Sequence, residues 1–411
     1  MLFEVSIKDH RRLRPFLKRQ EILKREEILK KEKRNKWKLW EETLNKPRWK
    51  FLSVEGSVDI SYLELLKHIA IGGDLYTLRE IEGDLEAGTI ELKNWTEYWR
   101  DNESYYLLDF FNNEKYQEAY KEATSKQFLE DWIEKIKWSY LRIKNNLEEK
   151  NFKKMRDETK TGYLSYEIGQ WIATYLASEI DDVFFTLPYD YVYKILELDK
   201  EKNIRTNQNK KKPDLVAFIW QGVWENKPYV GPFCILLEAK GRSDKEIVPK
   251  KKKEWKEQKK ANKKELAAKY GIVSATYNLY DENNNAKCLY IDPEGSSGYE
   301  LKIQDYGKLL NLYYAPFKTL INTFEKKESK KIEMKIRNGE KEEIKKQEFY
   351  IIRLKDIFGD IVDENISLYL RKEFLDFDDW RNSRSFMSEG AKIQEPNLYI
   401  DNDWIWFGIE D

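Results

Sequence analysis

Residues 213–241 read PDLVAFIWQGVWENKPYVGPFCILLEAKG, and this stretch decides the fold that the sequence predicts. Its two apolar runs, DLVAFIW and PFCILLEAKG, are rich in β-forming residues and flank a polar turn, so they predict neighbouring strands. Asp214 stands at the start of the first strand, while Glu238 and Lys240 close the second. Because strand side chains alternate between two faces, Glu238 and Lys240 project together, and the apolar residues between them form the face that we expect to be buried.

An oxygen-rich site is predicted where these two strands meet. Asp214 and Glu238 supply carboxylates from adjacent strands, and the backbone carbonyl of Ala239 adds a third oxygen. Oxygen ligands of this kind suit Mg²⁺, with Mn²⁺ as the alternative ion. Lys240, beside such a site, could orient or deprotonate a bound water and could offset the charge of an anion.

The segments around this pair of strands alternate between helix and strand. The amphipathic segment GYLSYEIGQWIATYLASEI predicts a helix that ends near Ile180, and DDVFFTLPYDY after it predicts a strand. A strongly basic helix candidate, VPKKKKEWKEQKKANKKELAAKY, follows the second apolar run and stops before Gly271. The segment GIVSATYNLYDENNNAKCLYI then predicts a hairpin. This alternation predicts an α/β fold in which a mixed sheet is flanked by helices.

The dipeptide PD at 213–214 and the tripeptide EAK at 238–240 carry a family resemblance. Their order, and the 24 positions that separate the aspartate from the glutamate, resemble the motif of the PD-(D/E)xK, or restriction endonuclease-like, nuclease superfamily. The resemblance covers about residues 156–300 and implies a core with the element order αβββαβ.

The resemblance also implies a role for each motif residue. Asp214 and Glu238 would bind Mg²⁺, and Lys240 would assist the attacking water. Glu167, on the helix before the first strand, fills the position at which many members carry an acidic residue that places a second ion or a water.

Basic residues after the motif are candidate nucleic-acid contacts. Arg242 directly follows the second strand and is a candidate phosphate contact. Gln258 lies in the region where RecB-type nucleases carry a glutamine. The basic helix supplies the remaining candidates, which are Lys250, Lys251, Lys252, Lys253, Lys256 and Lys260. Such a cluster attracts phosphates, while the alternative interpretation is a solvated helix in a chain rich in Lys and Glu.

The two flanks match no family motif. Residues 1–155 are expected to be mainly helical, and the charge-dense stretch 8–45 predicts either a solvated helix or an arm that contacts phosphates. Residues 301–411 predict an α+β region with a hairpin at Asn338-Gly339 and an acidic tail that forms a solvated face.

Composition excludes several classes of site. The 411 residues include 74 Lys+Arg, 74 Asp+Glu and only two histidines and two cysteines. Cys234 and Cys288 cannot make a disulfide framework or a cysteine zinc site, and two separated histidines argue against a Ser-His-Asp triad. No apolar run reaches the roughly 18–20 residues that span a bilayer. The start lacks the apolar region of a signal peptide, so a cytoplasmic protein without a membrane partner is expected.

The sequence therefore predicts a metal-dependent deoxyribonuclease, an endonuclease of restriction or defence type whose partner is DNA. Double-strand cleavage commonly uses two active sites, which favours a homodimer. Two alternatives stay open. One is an exonuclease or nickase in a repair or phage complex, and the other is a non-catalytic nucleic-acid or protein-binding module in which Asp214, Glu238 and Lys240 form a structural ion pair. The target sequence, and the choice between DNA and RNA, do not follow from the residues.

Overall fold

The computed structural model describes part of the chain. The described ranges are 2–10, 37–43, 52–71, 158–181, 183–189, 213–224, 227–241, 271–280, 285–291, 328–338, 341–359, 366–372, 393–395, 398–400 and 405–409, together with residues 133, 134, 136, 137, 141, 192, 309, 313, 314, 317, 320 and 321. No helix within these ranges is both long enough and apolar enough to cross a bilayer.

Eight strands form the main sheet, and two helices accompany it. The strands are β1 (Leu2–His10), β2 (Trp37–Thr43), β3 (Leu52–Asp59), β4 (Phe185–Pro188), β5 (Leu215–Trp224), β6 (Lys227–Gly241), β7 (Gly271–Tyr277) and β8 (Ala286–Ile291). The helices are α1 (Tyr62–Ile71) and α2 (Glu158–Asp181). The order of strands across the sheet is β2-β3-β1-β8-β7-β6-β5-β4.

The sheet mixes parallel and antiparallel neighbours. Strands β4, β5 and β6 form an antiparallel meander, and β6 then pairs in parallel with β7. Strands β7 and β8 form the predicted antiparallel hairpin, and β8 pairs in parallel with β1. The predicted mixed sheet with helices is therefore confirmed. A parallel pair needs a crossover connection, and the one between β6 and β7 runs through residues 242–270, outside the described ranges.

Both faces of β6 are covered, whereas the sequence predicted a single buried face. Cys234 and Leu236 on the side of Glu238 are as fully buried as the residues on the other side. The register explains the extra cover, because Phe218 on β5 lies opposite Cys234 and stacks on Phe185 of β4 at 4.6 Å between ring centroids. The ring of Tyr313 packs on Phe185 in turn, so helical residues from beyond 300 close this face.

The prediction of a mainly helical N-terminal region is wrong for the described residues before 60. Residues 37–43, which belong to the charge-dense stretch, form strand β2 at the edge of the sheet and pair with β3. In β1 the alternating residues Phe3, Val5 and Ile7 are buried. Burial of alternate side chains on a sheet favours a strand here, and it outweighs the helical preference of the charged neighbours. Because β1 pairs with β8, the sheet crosses the proposed boundary at residues 155 and 156.

Helix α1 agrees with the expectation of helical structure in residues 1–155, and it packs on α2. Ser61 and Glu64 form a capping box, in which Ser61 Oγ accepts from the Glu64 N–H and Glu64 Oε2 accepts from the Ser61 N–H. The hydroxyl of Thr174 donates to a carbonyl of its own helix, so it accepts from Nδ1–H of His68 at 3.0 Å. His68 is buried between the helices and takes part in their packing.

The C-terminal residues form a second, four-stranded sheet and a short two-stranded one. The elements are β9 (Glu328–Asn338), β10 (Lys341–Arg353), α3 (Leu354–Phe358), β11 (Ile366–Arg371), β12 (Ile393–Glu395), β13 (Leu398–Ile400) and β14 (Ile405–Ile409). The order in the larger sheet is β14-β11-β10-β9. The predicted hairpin is present, but Asn338 pairs with Lys341, so the connection consists of residues 339 and 340, one position later than the predicted Asn338-Gly339 turn.

Helix α2 touches the end of β6 through backbone atoms. A Cβ atom added to Gly169 of α2 would lie 2.5 Å from the nitrogen of Gly241, and one added to Gly241 would overlap the carbonyl of Ser165. Neither position can carry a side chain without moving the helix from the sheet. The two glycines therefore set how closely α2 approaches the end of β6, one residue beyond Lys240.

We expect Gly241→Ala to lower the free energy of unfolding by about 3 kcal/mol or more, because backbone atoms with no rotamer to change must move apart. Gly162→Ala is the matched control on the same helix, since an added Cβ meets nothing there within 4 Å. It should stabilise the protein by about 0.5–1 kcal/mol through the better helix propensity of alanine. Urea unfolding of both variants measures the difference, and equal stabilities would contradict the close backbone contact.

Candidate functional site

The sheet register brings the two predicted carboxylates together. Leu215 pairs with Leu237 in the antiparallel β5–β6 ladder, so the preceding Asp214 lies beside the following Glu238. The Glu238 side chain is only 2% exposed, and that of Asp214 is 15% exposed. Two acidic groups thus lie side by side in a poorly hydrated place, which requires a compensating positive charge.

Lys240 supplies that charge. Its Nζ atom lies 2.5 Å from Glu238 Oε1 and 3.7 Å from Asp214 Oδ2. Glu238 and Lys240 lie two positions apart on β6 and share a face, as the alternation of strand side chains predicted. The Lys240 side chain is 28% exposed, so its ammonium links the buried carboxylates to the protein surface.

The backbone of Ala239 holds the carboxylate of Asp214 in place. Its N–H donates to Asp214 Oδ2 at 2.8 Å. In a β-strand, the N–H and C=O groups of one residue point towards the same neighbouring strand. The Ala239 carbonyl therefore points to the same side as its N–H, which is the side on which Asp214 lies. The Asp214 carboxylate therefore lies level with the sheet, where groups from either face can reach it.

Two residues of α2 join the site, and the sequence had not assigned them to it. The Tyr166 hydroxyl lies 3.4 Å from Asp214 Oδ1, and Gln170 Nε2 donates to that hydroxyl at 2.7 Å. The two residues are four positions apart and so share a helix face. This spacing is visible in the sequence, but which face of α2 approaches Asp214 depends on the packing at Gly169.

Glu167, the predicted acidic residue of this helix, lies directly after Tyr166. It belongs to the buried residues of α2 and is 7% exposed. The structure thus places Glu167 on the helix that contacts the site, while the contact with Asp214 is made by its neighbour Tyr166. Asp214, Glu238, Ala239 and Lys240 are the predicted residues that the structure brings into direct contact.

Burial dominates the electrostatics of the site. It raises the pKa of Asp214 above its ordinary value, although Lys240, the Ala239 amide and the Tyr166 hydroxyl each act to lower it. For Lys240, lost hydration acts to lower the pKa, but Asp214 and Glu238 outweigh it and the pKa is raised. Lys240 is therefore an ammonium ion at neutral pH, and burial disfavours the charged form of Asp214.

The oxygen atoms present fit a hard divalent cation. Asp214 and Glu238 offer carboxylate oxygens and Ala239 a carbonyl on the same side, a set that suits Mg²⁺ or Mn²⁺ and contains no sulfur or imidazole. Within the described ranges, no three His, Cys, Asp or Glu side chains converge into a metal-binding group. A cation here would therefore take two carboxylates from the protein, with the backbone and water completing its coordination.

The remaining candidate residues lie outside the part of the chain that the structure describes. They are the nucleic-acid contacts assigned to the segment after β6, namely Arg242, Lys250, Lys251, Lys252, Lys253, Lys256, Gln258 and Lys260. Their contribution stays a prediction. The segment itself starts directly after Gly241, so it leaves the sheet beside Lys240.

Asp214→Asn tests the electrostatics through stability. Because burial raises the folded-state pKa of Asp214 above its ordinary 3.8, the folded protein binds more protons than the unfolded chain between these two values. The free energy of unfolding therefore falls as the pH rises through this window. Asparagine keeps an oxygen for the Ala239 N–H but does not titrate.

We expect Asp214→Asn to be at least as stable as the wild type at neutral pH without metal, and to lack this part of the pH dependence. Urea unfolding from about pH 4 to about pH 8 with a chelator, in both proteins, gives the difference. A marked loss of stability at neutral pH would show that the carboxylate is a net stabilising partner of Lys240.

Comparisons with known proteins supply no relative from which a function can be read. No protein-family model matches the chain, and searches of curated proteins and of solved structures find no match either. The function is therefore inferred from the residues at the end of β6 and from the sheet that positions them.

Proposed function

We propose that the protein is a metal-dependent deoxyribonuclease of the PD-(D/E)xK type, an endonuclease of restriction or defence type that hydrolyses phosphodiester bonds in DNA. One observation carries the proposal. Asp214 and Glu238, from neighbouring strands, meet beside the ammonium of Lys240 at the end of β6. This juxtaposition of two carboxylates and a lysine is what the hydrolysis of a phosphodiester with a bound cation requires.

The order of elements supports the same proposal. Helix α2, the antiparallel strands β4, β5 and β6, and β7 parallel to β6 follow one another in the order that an αβββαβ core requires. The second helix of that core would lie in residues 242–270, where the sequence predicts the basic helix. Positive charge in this connection would bring phosphates to the end of β6.

Each residue of the site then has a chemical task. A divalent cation held by Asp214 and Glu238 would stabilise the negative charge that develops on the phosphate during attack by water. Lys240 is charged at neutral pH because both carboxylates raise its pKa. It is therefore better suited to orient water and neutralise a phosphate oxygen than to accept a proton. The Ala239 N–H keeps the Asp214 carboxylate in place during these steps.

Loss of any of the three side chains should abolish cleavage. We expect Asp214→Ala, Glu238→Ala and Lys240→Met each to reduce Mg²⁺-dependent cleavage of mixed plasmid substrates by at least about 100-fold, because each removes a group that acts on the reacting phosphate or its cation. Circular dichroism checks that each variant is folded.

Lys287→Met is the matched control for the lysine variant. Lys287 lies on β8, two strands from β6 in the same sheet, and pairs with Glu4 at 3.3 Å. It should retain wild-type cleavage. Full activity in all three site variants would overturn the nuclease assignment.

The shape of the DNA separates two kinds of nuclease. An exonuclease requires a strand end, so it degrades end-labelled linear DNA and leaves closed circular plasmid intact. An endonuclease linearises the plasmid, whereas a nickase only relaxes it. The expected homodimer is tested by repeating these reactions over a range of protein concentrations. The rate of double-strand breaks made by two copies of the protein depends more steeply on protein concentration than the rate of nicks made by a single copy.

A second candidate, a non-catalytic module, is favoured by the ion pairs themselves. Lys240 forms ion pairs with Glu238 and Asp214, as it would in a purely structural cluster. Metal binding distinguishes the two functions.

We expect calorimetric titration with Mn²⁺ to show binding in the wild type that Glu238→Ala abolishes, because the buried carboxylate of Glu238 is one of the proposed ligands. Asp59→Asn, a change to a carboxylate at the end of β3, serves as the control and should bind Mn²⁺ as the wild type does. Absence of binding in the wild type would favour the module.

A further inference from the structure

We infer that Tyr166 and Gln170 of α2 form a positioning pair, which holds Asp214 so that its Oδ1 atom is presented to the cation. The inference rests on the proposed function, since it concerns the carboxylate that would bind the ion. It adds two residues that the motif resemblance does not include, and it divides the two oxygens of Asp214 between two tasks.

The hydrogen bonds run from Gln170 to the Tyr166 hydroxyl and from that hydroxyl towards Asp214. Gln170 Nε2 can only donate, so the Tyr166 oxygen accepts at 2.7 Å and its one proton remains available for another partner. Asp214 Oδ1, at 3.4 Å, lies in the direction of that proton. Gln170 thereby directs the tyrosine hydroxyl towards the carboxylate.

The two oxygens of Asp214 are held unequally. Oδ2 accepts from the Ala239 N–H at 2.8 Å and lies 3.7 Å from the ammonium of Lys240. Oδ1 is contacted by the Tyr166 hydroxyl at 3.4 Å, which is at the long end for an O–H···O bond. The short bond anchors Oδ2 to the strand, whereas Oδ1 has a second lone pair that a cation can use while the contact with the Tyr166 hydroxyl is kept. Oδ1 is therefore the ligand oxygen.

The position of the pair is set by the backbone contact between α2 and β6. Gly169, directly before Gln170 and three residues after Tyr166, is the point at which the helix meets Gly241. A helix held this closely cannot slide by more than a fraction of an ångström without a backbone clash. Its side chains are therefore suited to fix the orientation of a carboxylate, as functional sites require.

The exposure of Tyr166 decides which substitution is informative. The residue is 40% exposed, so its ring borders the surface from which a phosphate would approach. Tyr166→Phe removes the hydroxyl and keeps this ring in place. Tyr163, on the same helix and 55% exposed, allows the matched change Tyr163→Phe, which also removes one hydroxyl.

Gln170→Glu tests the direction of the hydrogen bonds. A glutamate at this position accepts the tyrosine proton and draws it away from Asp214, although the residue keeps its length. Gln170→Leu removes the donor but leaves the tyrosine proton free to reach Asp214. We therefore expect the glutamate variant to lose more than the leucine variant, an order that simple loss of packing would not produce.

The experiment measures Mn²⁺ affinity by calorimetry and, separately, kcat and KM for Mg²⁺-dependent cleavage of a DNA oligonucleotide. For Tyr166→Phe we expect affinity for Mn²⁺ to weaken by about 3- to 10-fold, the effect of one modest hydrogen bond. The value of kcat should fall at least as much, while KM for DNA stays within about twofold because the ring remains. Tyr163→Phe should match the wild type in all three quantities.

Thermal unfolding without metal accompanies each measurement and shows that the variants remain folded. Wild-type values of Mn²⁺ affinity and kcat in Tyr166→Phe, alongside a wild type that binds and cleaves, would overturn the positioning role and leave the proposed function intact. A wild type that neither binds Mn²⁺ nor cleaves would overturn the proposed function and this inference together.

Discussion

The arrangement of the site depends on one steric constraint, the meeting of two backbones at Gly169 and Gly241. Helix α2 can approach the end of β6 this closely only because neither residue has a side chain. The approach brings the Tyr166 side of the helix to the edge of the sheet, where the carboxylate of Asp214 lies level with the strands. The strand contributes charge from one side and the helix contributes a hydroxyl from the other.

The second constraint is electrostatic. Two carboxyl groups and one ammonium lie together in a place from which most water is excluded. Ion pairs of this kind seldom stabilise a fold, because the cost of desolvation is about as large as the attraction. The raised pKa of Asp214 shows where that cost falls. A divalent cation would offset this cost, which is one reason for proposing that the site binds metal.

Local patterns allowed much of the sheet to be predicted. Asp214, Glu238 and Lys240 are fixed by the alternation of one strand and by a single antiparallel pairing, and both can be read from residues close in sequence. The β9–β10 hairpin followed from its turn residues for the same reason, although the turn lies one position later than predicted. The contact between Tyr166 and Asp214 could not be read in this way, because it joins residues 48 positions apart and depends on how a helix packs.

Long-range pairing also explains what the sequence did not reveal at the N-terminal end. Lysine and glutamate dominate residues 8–45 and suggest a helix, yet β2 is a strand because β3 offers it an edge. The sequence also did not show that the Glu238 face of β6 is buried. Phe185 and Tyr313, which cover this face, come from distant parts of the chain. In each case, residues that are distant in the sequence determine the local structure or its burial.

The parallel pairing of β1 with β8 has a consequence for how the protein is made. Phe3 pairs with Ala286, so β1 cannot meet β8 until the chain has been synthesised as far as residue 286. At about 5–20 residues per second this delay lasts roughly 15–60 s. During it, β1 has one edge without its final partner, and such edges readily pair with other chains. The antiparallel partner β3, synthesised soon after β1, can cover the opposite edge, which makes the early β1–β3 pair the natural first step of folding at this end.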